Sequence, residues 1–297
     1  MDKKSRIQSQ KAMRIKLVTF SDGSFALRAA GKRLVREADA TGWFSVPSEH
    51  WTADTLREKL PEFFSQHQNF ISNHPKGFGL WIWKPALLNY LVGNLDDDEM
   101  VLLLDAGCQL NSNQNSLARF EQYAAICKSS DMLVMQLADG SFGFEKLTDA
   151  AWTKLSVLNY LDPDSRFRNS NQIQSGIILA RKTEKTQRIA KKWLDTCVSS
   201  NYSFLVDPLE ADPQLNNFIQ HRWEQSILSL IVKSEDITPL VDETYFYPNW
   251  QRGLDFPIWA MRNRSGGNAF RRNFFDVLKL GAARLERLIV STYRRVR

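Results

Sequence analysis

The sequence predicts an α/β fold: a mostly parallel, Rossmann-like sheet flanked by helices, with a basic helical segment at its C-terminus. Two observations carry this. Short apolar runs of a strand's length recur along the chain, and amphipathic stretches of helical length separate them. Charge is also segregated, with an acidic body between two basic ends.

Ile15–Phe20 reads as the first strand, closed by the turn-prone Ser21, Asp22 and Gly23. Residues 24–38 place Phe25, Ala26, Ala29, Ala30, Leu34 and Val35 at helical spacing. A helix is expected over 52–66, with Thr52 as cap and Leu56, Leu60, Phe63 and Phe64 on one face. After the turn at Gly77 and Gly79, Pro85 suits the first turn of a helix reaching Leu91. Met100–Leu104 is a continuous apolar run between acids, the pattern of a central strand buried on both faces. A helix over 116–128 leads to a strand over 132–137, and a strand over 173–180 to a helix over 183–198. A helix over 221–232 and a short strand over 237–241 complete the alternation, which implies a mostly parallel sheet. No repeat or low-complexity linker interrupts it, so one domain is expected over 15–261, between a basic segment 1–14 and a basic tail 262–297.

The net charge of +6 hides that partition: residues 262–297 carry +8 and 1–16 carry +5, leaving −7 for 17–261. An acidic body excludes a nucleic-acid-binding core, which needs a basic face for phosphates. There is no apolar run near the roughly 18 residues of a membrane span, and no signal-peptide core. Three cysteines without CxxC spacing point to neither a disulfide framework nor a zinc site. A cytoplasmic location is expected. Residues 270–297 can be drawn as an amphipathic helix, with Phe274, Leu278, Leu285, Leu288 and Ile289 on one side and seven arginines elsewhere. That suits peripheral contact with an anionic membrane; the alternative is a final helix packed on the domain.

Open α/β sheets bind ligands beyond the carboxyl ends of their strands. Asp105 ends the strongest strand, and Gly107 would let a ligand approach the backbone. An acid there can hold a divalent metal on a diphosphate or accept bonds from ribose hydroxyls; it can also be a turn aspartate. In Trp81-Ile82-Trp83-Lys84-Pro85 the two tryptophans, at i and i+2 of an extended segment, would share a face for stacking a base or sugar, or else plug the sheet. Lys84, just ahead of a helix N-terminus, is placed for phosphate.

Taken together, the Gly77–Pro85 block and Leu-Leu-Leu-Asp105-Ala-Gly107-Cys-Gln-Leu-Asn resemble glycosyltransferases of bacterial surface-polysaccharide gene clusters. Glu145 with Trp152-Thr153-Lys154, Gln174-Ser175-Gly176 and His221-Arg-Trp-Glu224-Gln225-Ser226 extend the likeness over roughly residues 15–250. The resemblance implies a GT-A fold, a nucleotide-sugar donor (a UDP-sugar), and a glycan or lipid-linked acceptor in lipopolysaccharide or capsule synthesis. It puts Asp105 where relatives carry an Asp-x-Asp metal motif. Gly107 replaces the second acid, which leaves dependence on Mn²⁺ or Mg²⁺ open, with Asp105 and His221 as candidate ligands.

Sugar transfer needs a stabilised diphosphate leaving group and, with inversion, a general base for the acceptor hydroxyl. Lys84 is the candidate for the first; Glu224, Glu145 and then Asp139 for the second. Gln225 offers an amide to sugar hydroxyls, and Ser175 with Gly176 would allow close backbone approach, unless Gly176 marks a bulge. Two other classes compete. A nucleotidyltransferase would show a Gly-rich phosphate loop after the first strand, and Ser21–Ser24 is too short to be one. A non-catalytic glycosyltransferase-like binder would equally explain the missing acid.

Overall fold

The computed structural model describes residues 14–266. In chain order its elements are β1 (Ile15–Phe20), α1 (Phe25–Thr41), β2 (Glu49–Trp51), α2 (Ala53–Lys59), α3 (Pro61–Asn73), the short α4 (Gly77–Leu80), α5 (Trp83–Asn94), β3 (Met100–Leu104) and β4 (Gln109–Leu110). Then follow α6 (Gln114–Ser130), β5 (Met132–Gln136), α7 (Asp149–Trp152), α8 (Leu155–Leu161), β6 (Ile173–Arg181), α9 (Glu184–Tyr202), α10 (Trp223–Ser234), β7 (Leu240–Val241) and β8 (Ile258–Trp259).

Six strands form one sheet in the order β2-β1-β3-β6-β5-β7. β2, β1 and β3 pair in parallel, as do β5 and β7, while β6 runs antiparallel to both its neighbours. The fold is therefore α/β with a mixed sheet in which five strands share a direction. Alternate side chains of each strand feed two cores, because successive residues point to opposite faces. Val101 and Leu103 of β3 join α3, α5, α9 and α10 on one side. Leu102 and Leu104 join α1 and α6 on the other. Each fully buried large apolar side chain contributes about 1.5–3 kcal/mol, and Trp51, Trp193 and Phe120 are among them.

Several expectations change in physical detail. The helix over 52–66 is two helices, because Pro61 starts a new one at its first position. The antiparallel course of β6 follows from its connection: residues 137–172, with α7 and α8, return to the end of the sheet where β5 stopped. Consequently Gln174, Ser175 and Gly176, at the start of β6, lie level with the ends of β3 and β5. The domain also runs past 261: Asn263 and Ser265 are buried, and Asn263 N–H donates to the Gly107 carbonyl at 2.8 Å. At the other end Arg14 belongs to the folded part, bonding Glu99 and Asp96. The amphipathic helix drawn over 270–297 and the segment 1–13 lie outside the described residues. Among the described residues, no helix is long and apolar enough to cross a membrane.

Candidate functional site

Asp105 follows β3 at the carboxyl end of the parallel strands. Its backbone N–H donates to the Gly176 carbonyl at 2.9 Å, continuing the β3–β6 ladder one residue past the strand. Its side chain is 45% exposed. Beneath it lies Lys84, whose ammonium is 2.8 Å from Asp105 Oδ1 and 3.5 Å from Glu224 Oε1. The same ammonium donates to the Ser175 carbonyl (3.3 Å) and Oγ (3.2 Å). Ser175 Oγ donates onward to Glu224 Oε1 at 2.7 Å. The structure thus brings Asp105, Lys84, Ser175, Gly176 and Glu224 into one cluster.

Local sequence explains each position. Residues 77–81 all have positive φ, a left-handed turn in which only Gly77 and Gly79 are glycines. A Cβ on Gly77 would lie 2.3 Å from the Trp81 ring, so this turn closes only around a glycine. It delivers Lys84 into the first turn of α5, pointing at the start of β6. There β6 parts from β5: Val134 pairs with Ile178, but Met135 pairs with Gln174, leaving Ser175–Ile177 looped away from that strand. Gly176 makes room for Asp105, since a Cβ there would sit 2.8 Å from Asp105 Oδ2. The glycine serves the aspartate's packing.

Burial gives the cluster its electrostatics. Desolvation alone would lower the Lys84 pKa, but the fields of Asp105 and Glu224 outweigh it and the net shift is upward. Burial raises Glu224 to about 7 against the opposing pull of Lys84 and Ser175. Lys84 therefore stays cationic, and Glu224 titrates near neutrality.

This geometry corrects five expectations. Lys84 is not open to a phosphate: it is 3% exposed and its donors are spent on Asp105 and Ser175. Glu224 is 3% exposed behind Lys84, a holding carboxylate rather than a base facing an acceptor. Trp81 and Trp83 do not form an extended stacking face, because 77–81 is a left-handed turn; Trp83 is buried against Phe20 at 4.3 Å and Trp81 packs on Trp223 at 5.2 Å. Gln225 spends its amide on Gln172 (2.7 Å) and its oxygen on Ser175 N–H (3.3 Å). His221 is no metal ligand: it is fully buried, Nε2 donates to the Phe204 carbonyl and Nδ1 accepts from Lys154 N–H. Burial lowers its pKa to about 3.

Other candidates lie apart. Glu145 is exposed on the loop before α7, and no described contact joins it to the cluster. Asp139 is exposed and accepts from Asn171 at 2.6 Å, the plain turn reading. Gly107 packs on the chain's own C-terminal segment: a Cβ there would be 3.2 Å from Arg262 Cα. The donor set for a divalent ion is poor, since Asp105 already faces an ammonium and the one other carboxylate of the cluster, Glu224, is buried behind that ammonium. Among the described residues no three His, Cys, Asp or Glu side chains converge. The residues present do not fit a resident divalent ion.

Two residues at the rim escaped the sequence reading. Arg33, 4% exposed on α1, donates to the carbonyls of Ala106 (3.0 Å), Cys108 (2.8 Å), Ser265 (3.1 Å) and Asn263 (3.5 Å), tying the Asp105 loop to the C-terminal segment. A cation amid Ala30, Leu34 and Ala38 on the apolar face of α1 was the available signal. Asp242 follows β7 at the same end of the sheet. Its Oδ1 accepts from Gln174 Nε2 (3.0 Å), Thr244 N–H (2.9 Å) and Thr244 Oγ (2.6 Å). Burial raises its pKa.

No protein-family model and no curated protein matches the chain. Among solved structures it is similar to mouse xyloside xylosyltransferase 1 in its apo form, with 10% identity and a TM-score of 0.44 over 83% of this chain and 97% of that one.

Proposed function

We propose that this chain is a GT-A-like glycosyltransferase that moves a sugar from a nucleotide-sugar donor to a hydroxyl acceptor. The observation that carries the reading is Asp105: a half-exposed carboxylate beyond the end of a central strand, clamped from below by a buried lysine and seated against a glycine. Ligands of such sheets bind at that edge. A carboxylate fixed before binding holds a hydroxyl without reorganisation.

In this reading Asp105 accepts hydrogen bonds from the donor's ribose or sugar hydroxyls. Lys84 and Ser175 set its direction, and Glu224 balances the charge of Lys84. No step runs through a metal. The finer assignments rest on sequence: uridine as the base, a glycan or lipid-linked acceptor of bacterial surface-polysaccharide synthesis, and contact of the +8 segment 262–297 with the cytoplasmic face of an anionic membrane.

Calorimetry with UDP, GDP, ADP and CMP, each in EDTA, tests the reading. UDP is expected to bind without added metal. Asp105→Asn is expected to weaken it about 10–100-fold, the worth of a hydrogen bond to a charged group. Binding by none of the four nucleotides, or equal UDP affinity in Asp105→Asn, would sink it.

A further inference from the structure

One side of α1 faces away from the domain. Ala30, Leu34 and Ala38 are buried beneath the helix, while Phe25, Ala29, Lys32 and Arg36 follow one another at helical spacing and form an outward stripe. Phe25, at the first position of the helix, is 89% exposed. Beside the stripe a groove of about 400 Å³ runs between α1 and β2, lined by Ala29, Lys32, Val35, Arg36 and His50. Gly31 admits the ring of its far wall, since a Cβ there would lie 2.3 Å from His50. Half-buried Ala29 and Val35 make the base of the groove apolar, and exposed Lys32 and Arg36 make its rim cationic.

A lone exposed phenylalanine needs no explanation, but this one heads a row of uncompensated charge. Other cations of this region are matched: Arg28 by Asp22, Arg33 by Glu37 and Lys16 by Glu49. Lys32 and Arg36 have no ion-pair partner among the described residues, although residues 17–261 carry −7. Of the two acids on α1, Glu37 is taken by Arg33 and Asp39 lies at the end of the helix far from Phe25. The described chain also ends at this face: a Cβ on Gly266 would lie 3.2 Å from Ala29 Cβ, in the middle of the stripe. Residues 267–297, which begin there, carry eight Lys/Arg and two acids, a net of +6.

We infer that the outward face of α1, from Phe25 to Arg36, docks on an anionic phospholipid bilayer. The Phe25 ring enters the interface, and Lys32 and Arg36 reach lipid phosphates while their methylene stems cover apolar surface. A nucleic acid would use the two cations but leave Phe25 in water. The surface belongs to the folded domain and acts beside the C-terminal charge, not through it. α1 begins just past the end of β1, at the carboxyl edge where Asp105 opens, so docking holds that edge close to the membrane. The inference does not depend on the donor reading, and UDP affinity should be the same in every variant below.

The test follows the full chain by flotation with vesicles of phosphatidylcholine, alone or mixed with phosphatidylglycerol. Wild type is expected to bind the mixed vesicles and not the neutral ones. Lys32→Gln with Arg36→Gln should lower the partition about 10–30-fold at low salt, and the loss should shrink as salt rises. Phe25→Ala should lower it about tenfold with little dependence on salt. Removing the same charge from the opposite layer of the fold, by Lys191→Gln with Lys192→Gln on α9, should change it about twofold or less. Cys108, Cys127 and Cys197 are all buried, so a polarity-sensitive dye can be coupled selectively to Phe25→Cys. It should brighten on mixed vesicles, whereas the same dye on Tyr160→Cys, across the sheet, should not. Partition unchanged in both α1 variants, an equal loss from the α9 pair, equal binding to neutral vesicles, or a dye at position 25 that stays dark would each overturn the proposal.

Discussion

Two buried lysines in this molecule are built alike and used differently. Lys84 is satisfied by an aspartate, a serine hydroxyl and a backbone carbonyl: Asp105, Ser175 Oγ and Ser175 O. Lys233 on α10 has the same set: Asp149, Ser170 Oγ at 2.8 Å and the Asn171 carbonyl at 2.7 Å. The difference is the aspartate's far side. Asp149 is fully buried and also accepts from Ser229, whereas the Asp105 side chain is 45% open to solvent. A closed pair is shut off from solvent and locks α7 and the 170–171 turn onto α10. An open pair keeps a charged acceptor facing outward on a rigid base. Pairing alone therefore does not distinguish the two; exposure of one partner does.

The contrast can be broken by mutation. Lys233→Met strips the buried Asp149 of its counter-ion, a loss of about 3–5 kcal/mol. Urea unfolding should show it, with UDP affinity of the folded fraction within twofold of wild type. Lys84→Met should cost less, about 1–3 kcal/mol, because Asp105 can turn to water and Glu224 can hold a proton. Its UDP affinity should nevertheless fall about tenfold as Asp105 loses its direction. Equal stability losses in the two variants, or UDP binding untouched by Lys84→Met, would erase the distinction.

Glu224 sharpens the comparison through pH. Its folded pKa, about 7, is raised above the ordinary 4.5, so the folded state binds its proton more tightly than the unfolded state does. The associated stability is full below about pH 4.5 and is lost as pH rises through 7. Glu224→Gln should flatten the melting temperature between pH 6 and 8 relative to wild type, by about 2–4 °C per kcal/mol removed. Parallel profiles would mean that Glu224 carries no such proton.

Much of the frame was legible in the sequence, and the reasons are local. Ile15–Phe20 and Met100–Leu104 occupy the residues expected, because continuous apolar runs between polar turns leave little choice of boundary. Asp105 stood out as the acid ending such a run. What lay beyond reach was direction and depth. Spacing put Lys84 near a helix start, but the reversal of β6, set by a 36-residue connection, buried it against Ser175. The i, i+2 spacing of Trp81 and Trp83 suggested a strand, and only the left-handed turn at 77–81 sends them to separate packing sites. Arg33 was hidden between Lys32 and Arg36 as one of three similar charges, though only it is buried. Asp242 gave no signal, since Gln174 meets it only through the pairing of β5 with β6 and β7.

Arg33 has a further meaning in time. Its guanidinium joins carbonyls 75 and 232 residues away in sequence, among the most distant contacts of the chain. Contacts of such separation must overcome the entropy of closing a long loop, so they form after the local pairings of β1 with α1 and of β2. The loop bearing Asp105 is therefore complete only once residues 263–265 dock beside it. A chain that lacked those residues would keep the strands of the sheet and lose the two carbonyls that fix Arg33 from that side.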